Sequence, residues 1–210
     1  MLYVVKTPNF VKKIFSSLTW HITTKEKNIY LTFDDGPTPE ITNWVLNELE
    51  KYNAKATFFC IGKNILNHPS IFKTILEKGH RIGNHTNNHL NCWKKNTKTY
   101  IKNIAQAQNV INLNANQQEK LFRPPYGKLT NSVRKRVLKK GYKIIMWDIL
   151  SGDFDTKISN EKCLKNVLNN SSNGSIIVFH DSVKASEKLK YVLPKTLKHF
   201  SEKGYTFKPV

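Results

Sequence analysis

Short runs of β-branched and aromatic residues recur along the chain between longer segments whose apolar residues fall at helical spacing, the alternation that βα units and a parallel sheet produce. Runs at Asn28–Phe33, Ala56–Ile61, Arg81–Gly83, Leu121–Phe122, Lys143–Trp147, Ser175–Phe179 and Tyr205–Phe207 predict seven strands. The patterns between them predict helices over Pro39–Tyr52, Ser70–Lys78, Thr97–Leu113, Asn131–Lys140, Ser159–Leu168 and Ala185–Lys203. In the first helix Ile41, Val45, Leu46 and Leu49 share a face and should point inward. Gly79, Gly141 and Gly204 stand where helix C-terminal caps belong. The fold class is α/β, a barrel of alternating strands and helices. In such a barrel, residues just past the strand C-termini line one open face.

At 210 residues the chain suits one domain, and no low-complexity linker divides it. Residues 1–27 precede the first strand and read as an N-terminal extension to a domain over 28–210. Within the extension, Phe10, Val11, Ile14, Phe15, Leu18 and Trp20 surround Lys12 and Lys13 at amphipathic spacing, predicting a helix that packs on the domain. Peripheral membrane contact through residues 1–20 is the alternative. The apolar stretch Leu2–Val5 is short and precedes Lys6, so no cleavable signal is evident. No run approaches the roughly 20 apolar residues of a membrane span, so a cytoplasmic or peripheral membrane location is expected.

Charge changes this picture little. The 34 basic and 15 acidic residues give +19, but the basic residues are mostly lysines scattered along the chain rather than an arginine–aromatic stripe. A solvated lysine surface is expected and no nucleic-acid partner. The densest cluster, Arg134, Lys135, Arg136, Lys139 and Lys140, falls on one predicted helix and could guide an anionic substrate. Cys60, Cys92 and Cys163 form no CxxC pair and read as free thiols.

Five segments carry candidate chemistry, each at a strand end. In TFDDGP two carboxylates, Asp34 and Asp35, leave an apolar strand at a Gly-Pro turn, so they can face different tasks. In GNHTNNH, His85 and His89 stand four apart, and on one helical turn both imidazoles would project the same way, as paired metal ligands require. With Asp35 they make a two-histidine, one-carboxylate set that leaves positions open for water and substrate. Zinc would use it to acidify water and ferrous iron for oxygen chemistry. In FRPPYG, two prolines stiffen a loop from which Arg123 offers a fork suited to a carboxylate, with Asp34 its natural partner. WDILSGDFD carries Asp153. IIVFHDS delivers His180 from a buried strand to a polar turn, where amide hydrolysis would need an acid–base group. His68 and His199 match no motif and read as surface residues.

Taken in order from about Asn28 to Phe207, these segments resemble the polysaccharide deacetylases of the NodB-homology group, carbohydrate esterase family four. The resemblance implies a distorted (β/α) barrel with about seven strands, and a catalytic domain over 28–210. It implies a divalent metal, zinc with cobalt or nickel as alternatives, held by Asp35, His85 and His89. It further implies Asp34 as general base, His180 as general acid, Arg123 orienting Asp34, Asp153 tuning His180, and the Tyr126 amide holding the oxyanion. The family often has Asp where Leu150 stands and Trp where Phe154 stands, so the aromatic wall of the sugar groove should be narrower or shifted at Phe154. The expected activity is removal of N-acetyl, or else O-acetyl, groups from an acetylated glycan such as peptidoglycan or chitin-like oligomers. A ferrous-iron oxygenase and a non-catalytic glycan- or nucleic-acid-binding protein are the alternatives.

Overall fold

The computed structural model describes residues 3–115 and 119–210; residues 1 and 2, where the extension begins, lie outside that set. The described elements run in the order α1 (Asn9–Ile14), β1 (Asn28–Asp34), α2 (Ile41–Glu50), β2 (Thr57–Cys60), α3 (Gly62–Asn67), α4 (Pro69–Glu77), β3 (Arg81–Asn84) and α5 (Thr97–Asn114). They continue with β4 (Lys120–Phe122), α6 (Asn131–Lys139), β5 (Tyr142–Ile144), β6 (Ile149–Leu150), α7 (Asn160–Leu168), β7 (Ile176–His180), α8 (Ser186–Glu202) and β8 (Thr206–Phe207). Seven strands lie on one parallel path, β5-β4-β3-β2-β1-β7-β6, and β8 pairs with the start of β1. The eighth strand arises because the segment from Lys143 to Leu150 holds two short strands, β5 and β6, where the sequence pattern predicts one. Helix α3 is also absent from the sequence reading.

The path itself forces curvature. β5 and β6 are its two ends, yet only four residues separate Ile144 from Ile149. Six flat strand spacings of about 4.8 Å would hold the edges roughly 29 Å apart. Five Cα steps reach only about 18 Å. The sheet must therefore curl into a distorted barrel, which turns the strand C-termini toward one mouth.

The extension occupies the seam where the curled edges approach. Leu150 N–H donates to the Val5 carbonyl and Thr7 N–H to that of Asp148, both at 2.8 Å. Farther on, Thr19 N–H donates to Ile144 at 2.9 Å, Met146 N–H to Thr19 at 2.7 Å and Ile22 N–H to Gly174 at 2.9 Å. Edge backbone groups that would otherwise face water are thereby satisfied. The helix in this segment is shorter than its amphipathic pattern suggests. None of the α1 residues is buried, Phe10 and Ile14 are exposed and Val11 is partly buried, while of the apolar residues in the pattern Leu18 alone is buried, with Trp20 partly so. The expected apolar packing on the domain is met past the helix, by Leu18 and Trp20.

Burial elsewhere follows the pattern. β1 is buried along its whole length, as a central parallel strand covered on both faces should be. Ile41, Val45, Leu46 and Leu49 of α2 all point into the core. Asn96, Thr130 and Ser159 cap α5, α6 and α7 by accepting from amides three residues on. α4, α6 and α8 run into Gly79, Gly141 and Gly204, which take φ values of 74°, 80° and 75°. All three cysteines are buried and free. Among the described residues no helix is long and apolar enough to cross a membrane.

Candidate active site

β1 carries Asp34 and Asp35 to the mouth, and the backbone then sends them apart. Asp35 sits at φ 83°, a conformation that costs a non-glycine residue about 1–3 kcal/mol unless its surroundings hold it. Three contacts fix this turn. Asn64 at the start of α3 donates to the Asp35 carbonyl at 2.7 Å, and the Gly36 amide donates to Asp181 Oδ1 at 3.1 Å. Thr42 in α2 donates to the other Asp181 oxygen at 2.6 Å. A Cβ on Gly36 would lie 2.0 Å from Asp181 Oδ2, so only glycine lets this carboxylate close on the turn. Burial, with Asp35 adding, pushes Asp181 up to about 8, against the hydrogen bonds that lower it. Asp181 and Asn64 are functional supports to which the sequence reading gave no role. Asp181 stood next to His180 in the polar turn, but Asn64 is one asparagine among many.

The two histidines do not lie on a helical turn. His85 follows β3, and the chain then loops with Thr86 at φ 65° and His89 at φ 52°. Side chains override the helical spacing here. Asn84 Oδ1 accepts from Thr86 N–H at 2.9 Å, and Asn103 Oδ1 from α5 accepts from the amides of Asn87 and Asn88 at 2.9 and 3.1 Å. From below, Gly62 and Lys63 of α3 donate to the carbonyls of Thr86 and Asn87. The loop still brings the rings together, with centroids 5.1 Å apart.

Asp35, His85 and His89 each offer an atom within 4.8 Å of the others. His85 Nε2 lies 3.7 Å and His89 Nε2 3.2 Å from Asp35 Oδ1. His85 Nδ1 lies 2.8 Å from the Arg123 carbonyl, which can only accept, so this nitrogen carries the hydrogen and Nε2 presents a lone pair. Burial, followed by His89, holds His85 down at about 3, so it is neutral. A lone pair therefore faces Asp35 Oδ1, a buried carboxylate oxygen that accepts no hydrogen bond. Two acceptors so placed repel unless a cation lies between them. Ligand atoms around a tetrahedral metal at about 2.0–2.2 Å are spaced roughly 3.3–3.6 Å, and the two histidine–carboxylate separations lie close to that spacing.

Asp34 borders this set, its Oδ2 4.0 Å from His85 Nε2, while its other oxygen has a different partner. Arg123, the residue after β4, is fully buried and donates to Asp34 Oδ1 at 2.8 Å. Its remaining donors go to Thr32 Oγ1 at 2.7 Å and to the Ile145 and Met146 carbonyls at 3.1 and 2.8 Å, and its guanidinium lies 4.2 Å from the Phe59 ring centroid. Burial lowers this guanidinium's pKa and Asp34 opposes the shift. The expected Arg123–Asp34 pair is thus present and also joins β1 to the β5–β6 crossover.

On the opposite side β7 delivers His180. Asp153, which follows β6 rather than the fifth strand, is buried and uses both oxygens on this residue: Oδ1 lies 2.8 Å from His180 Nδ1, and Oδ2 accepts the His180 backbone N–H at 2.7 Å. Burial lowers the imidazolium, but Asp153, with Asp35 and Asp34 behind it, outweighs that effect and raises His180 to about 9. Phe154 packs edge-on to the imidazole at 5.2 Å, and Tyr3 of the extension packs on Phe154 at 5.5 Å. Tyr126, at φ 61°, places an exposed ring 4.6 Å from His89. A Cβ on the following Gly127 would meet Trp147 at 2.7 Å, so this turn is tightly seated. A cleft of about 410 Å³ opens beside the ligand set, lined by Asp35, His89, Asn64, Pro39, Val183 and His68. His68, read from sequence as a surface residue, belongs to its wall.

The sequence profile of the polysaccharide deacetylase family matches residues 21–145. The chain belongs to the polysaccharide deacetylase family. This deacetylase is 33% identical over 191 residues to a peptidoglycan-N-acetylglucosamine deacetylase of Bacillus cereus, covering 90% of this chain and 89% of that protein. It is 31% identical to chitin deacetylase 2 of Saccharomyces cerevisiae, covering 86% of this chain but only 61% of the yeast protein. Its fold superposes with a TM-score of 0.88 on the crystal structure of the Bc1960 peptidoglycan N-acetylglucosamine deacetylase, in complex with 4-naphthalen-1-yl-N-oxidanyl-benzamide, at 31% identity and over 97% of this chain and 95% of that one. The deacetylase thus has the distorted barrel of its family, and its catalytic class is hydrolysis of acetyl groups on a polysaccharide.

Proposed function

We propose that this deacetylase removes N-acetyl groups from N-acetylglucosamine units, with peptidoglycan the first candidate polymer, chitin-like oligomers the second and O-acetylated glycans the weaker alternative. The domain that does so is taken as 28–210, with residues 1–27 completing its seam. Asp35, His85 and His89 would hold a divalent ion, zinc ahead of cobalt or nickel. Such an ion, when bound, supplies a Lewis acid that polarises a carbonyl and acidifies water.

The chain's own residues carry the proton movements. Asp34, oriented by its hydrogen bond from Arg123, takes a proton from the attacking water as its oxygen bonds to the acetyl carbon. The Tyr126 N–H donates to the oxygen that gains charge. His180, whose Nδ1 is committed to Asp153, gives the Nε2 proton to the sugar nitrogen as the C–N bond breaks, leaving acetate and a free amine. Phe154 walls the imidazole and narrows the groove on that side.

The observation that carries this reading is the pair of charge-coupled groups, Asp34–Arg123 and His180–Asp153, flanking one two-histidine, one-carboxylate set. Oxygen activation at ferrous iron has no use for either pair, and a purely glycan-binding protein needs none of these groups. Mass spectrometry of acetate release from peptidoglycan fragments, chitooligomers and acetylxylan tests the reading, with metal-stripped and metal-restored protein in parallel. Release from N-acetylglucosamine polymers that depends on restored metal is expected. Release from none of the three, or release unaffected by verified metal removal, contradicts it.

A further inference from the structure

We infer that the face formed by Val4, Phe10, Ile14 and Phe15 docks this chain on an anionic lipid bilayer surface. The inference is independent of the substrate reading above. Of the nine large apolar side chains exposed among the described residues, four fall between positions 4 and 15, which concentrates them in one short segment. Val4, Phe10 and Ile14 are 60%, 64% and 67% exposed. Singly exposed apolar residues mean little, but a cluster on one segment marks a surface that meets something.

The polarity of α1 is inverted relative to a helix that serves the core. Phe10 and Ile14 are four apart and share a face. Both look outward, while Lys12 turns inward and pairs with the buried Asp148, whose other oxygen accepts from Ser175 Oγ at 2.7 Å. This arrangement is anchored on both sides. Thr7 bonds the crossover through both its N–H and its hydroxyl, and Trp20 Nε1 donates to the Phe15 carbonyl at 3.1 Å. The apolar side chains are thus held outward by a frame whose inward contacts are polar.

What flanks the apolar face selects its occupant. Lys13 is exposed within α1 itself, and Arg134 of α6 donates to Ser17 Oγ at 2.8 Å, which brings the most basic helix of the chain beside the patch. On that helix Lys135, Arg136 and Lys139 are exposed, as is Lys140 just past its end. Apolar side chains with a basic helix beside them match the boundary between acyl chains and anionic headgroups. The net charge of +19 favours approach to such a surface.

The test is co-sedimentation of the full chain with vesicles of phosphatidylcholine alone or mixed with phosphatidylglycerol, over a salt series. The full chain is expected to sediment with the mixed vesicles and not with phosphatidylcholine alone. Phe10→Ser with Ile14→Ser should weaken that partition about tenfold or more, and Lys135→Glu with Lys139→Glu should weaken it comparably. The apolar double variant should keep the parent's urea denaturation midpoint, showing an intact fold. Undiminished binding by that variant would reduce the effect to charge adsorption and overturn the proposal. So would failure to sediment with any vesicle, or a parent dimer in analytical ultracentrifugation that the apolar variant dissolves, since the patch would then serve a second copy.

Discussion

Asp34 and His180 are register partners on adjacent parallel strands, so their side chains open onto the same space at the barrel mouth. Each is held by its own opposite charge, Arg123 for one and Asp153 for the other, both at 2.8 Å. Arg123 orients the carboxylate, and Asp153 favours the protonated imidazole. This arrangement supports the opposite proton-transfer tasks proposed for the two neighbouring groups.

The His180–Asp153 pair predicts a specific pH dependence. His180 is raised to about 9 in the metal-free fold, so its pairing stabilises fully below the ordinary histidine value and is lost as pH rises through that higher value. The urea midpoint of metal-free protein should fall between pH of about 6.5 and 9, and Asp153→Asn should flatten that fall. In the metal-loaded enzyme the same variant should move the alkaline limb of the rate profile to lower pH. An unchanged slope and an unchanged limb would separate Asp153 from His180.

Arg123 is more than the partner of one carboxylate. Its guanidinium is fully buried and every nitrogen donates. Arg123→Ala strands the buried Asp34 and three further acceptors and should cost about 3–5 kcal/mol by urea denaturation. Arg123→Lys keeps charge but loses the fork, so it should recover part of the stability and little activity. Equal stability of parent and Arg123→Ala would contradict the assigned contacts.

The extension should matter to the site although no motif lies within it. Tyr3 backs Phe154, which walls His180, and residues 5–22 supply hydrogen bonds to both curled edges. Tyr3→Ala should raise KM severalfold while metal content stays normal. Removing residues 1–20 should lower the urea midpoint and speed hydrogen exchange at Met146 and Leu150, whose amides donate to Thr19 and Val5. Parent-like values for both variants would return the extension to the passive role its sequence suggests.

Most of the barrel was legible in the sequence, and so was the gathering of the candidate site residues at one mouth, because both depend on local pattern. Periodicity placed the inward face of α2, glycines marked helix ends, and all five polar segments fell at strand C-termini. What escaped depends on long-range partners. β6 is two residues long and exists by pairing with β7, and the extension's bonds reach across more than a hundred residues to the crossover. The HxxxH pair suggested a helical turn, but Asn84 and Asn103 offer its amides other acceptors and hold it as a loop. Asn64, Asn103 and Asp181 carry no signature among so many asparagines and polar turns.

The most direct test of the site compares the adjacent carboxylates, which share a turn yet face different partners. Metal content and acetate release should be followed for Asp35→Ala and Asp34→Asn across one metal titration. Asp35→Ala loses the buried oxygen that faces both histidines, so it should bind metal weakly and regain part of its activity when metal is in excess. Asp34→Asn keeps the ligand set and should bind metal nearly as the parent does while staying inactive at every concentration. Rescue of Asp34→Asn by added metal, or parent-like metal content in Asp35→Ala, would contradict the division of base and ligand.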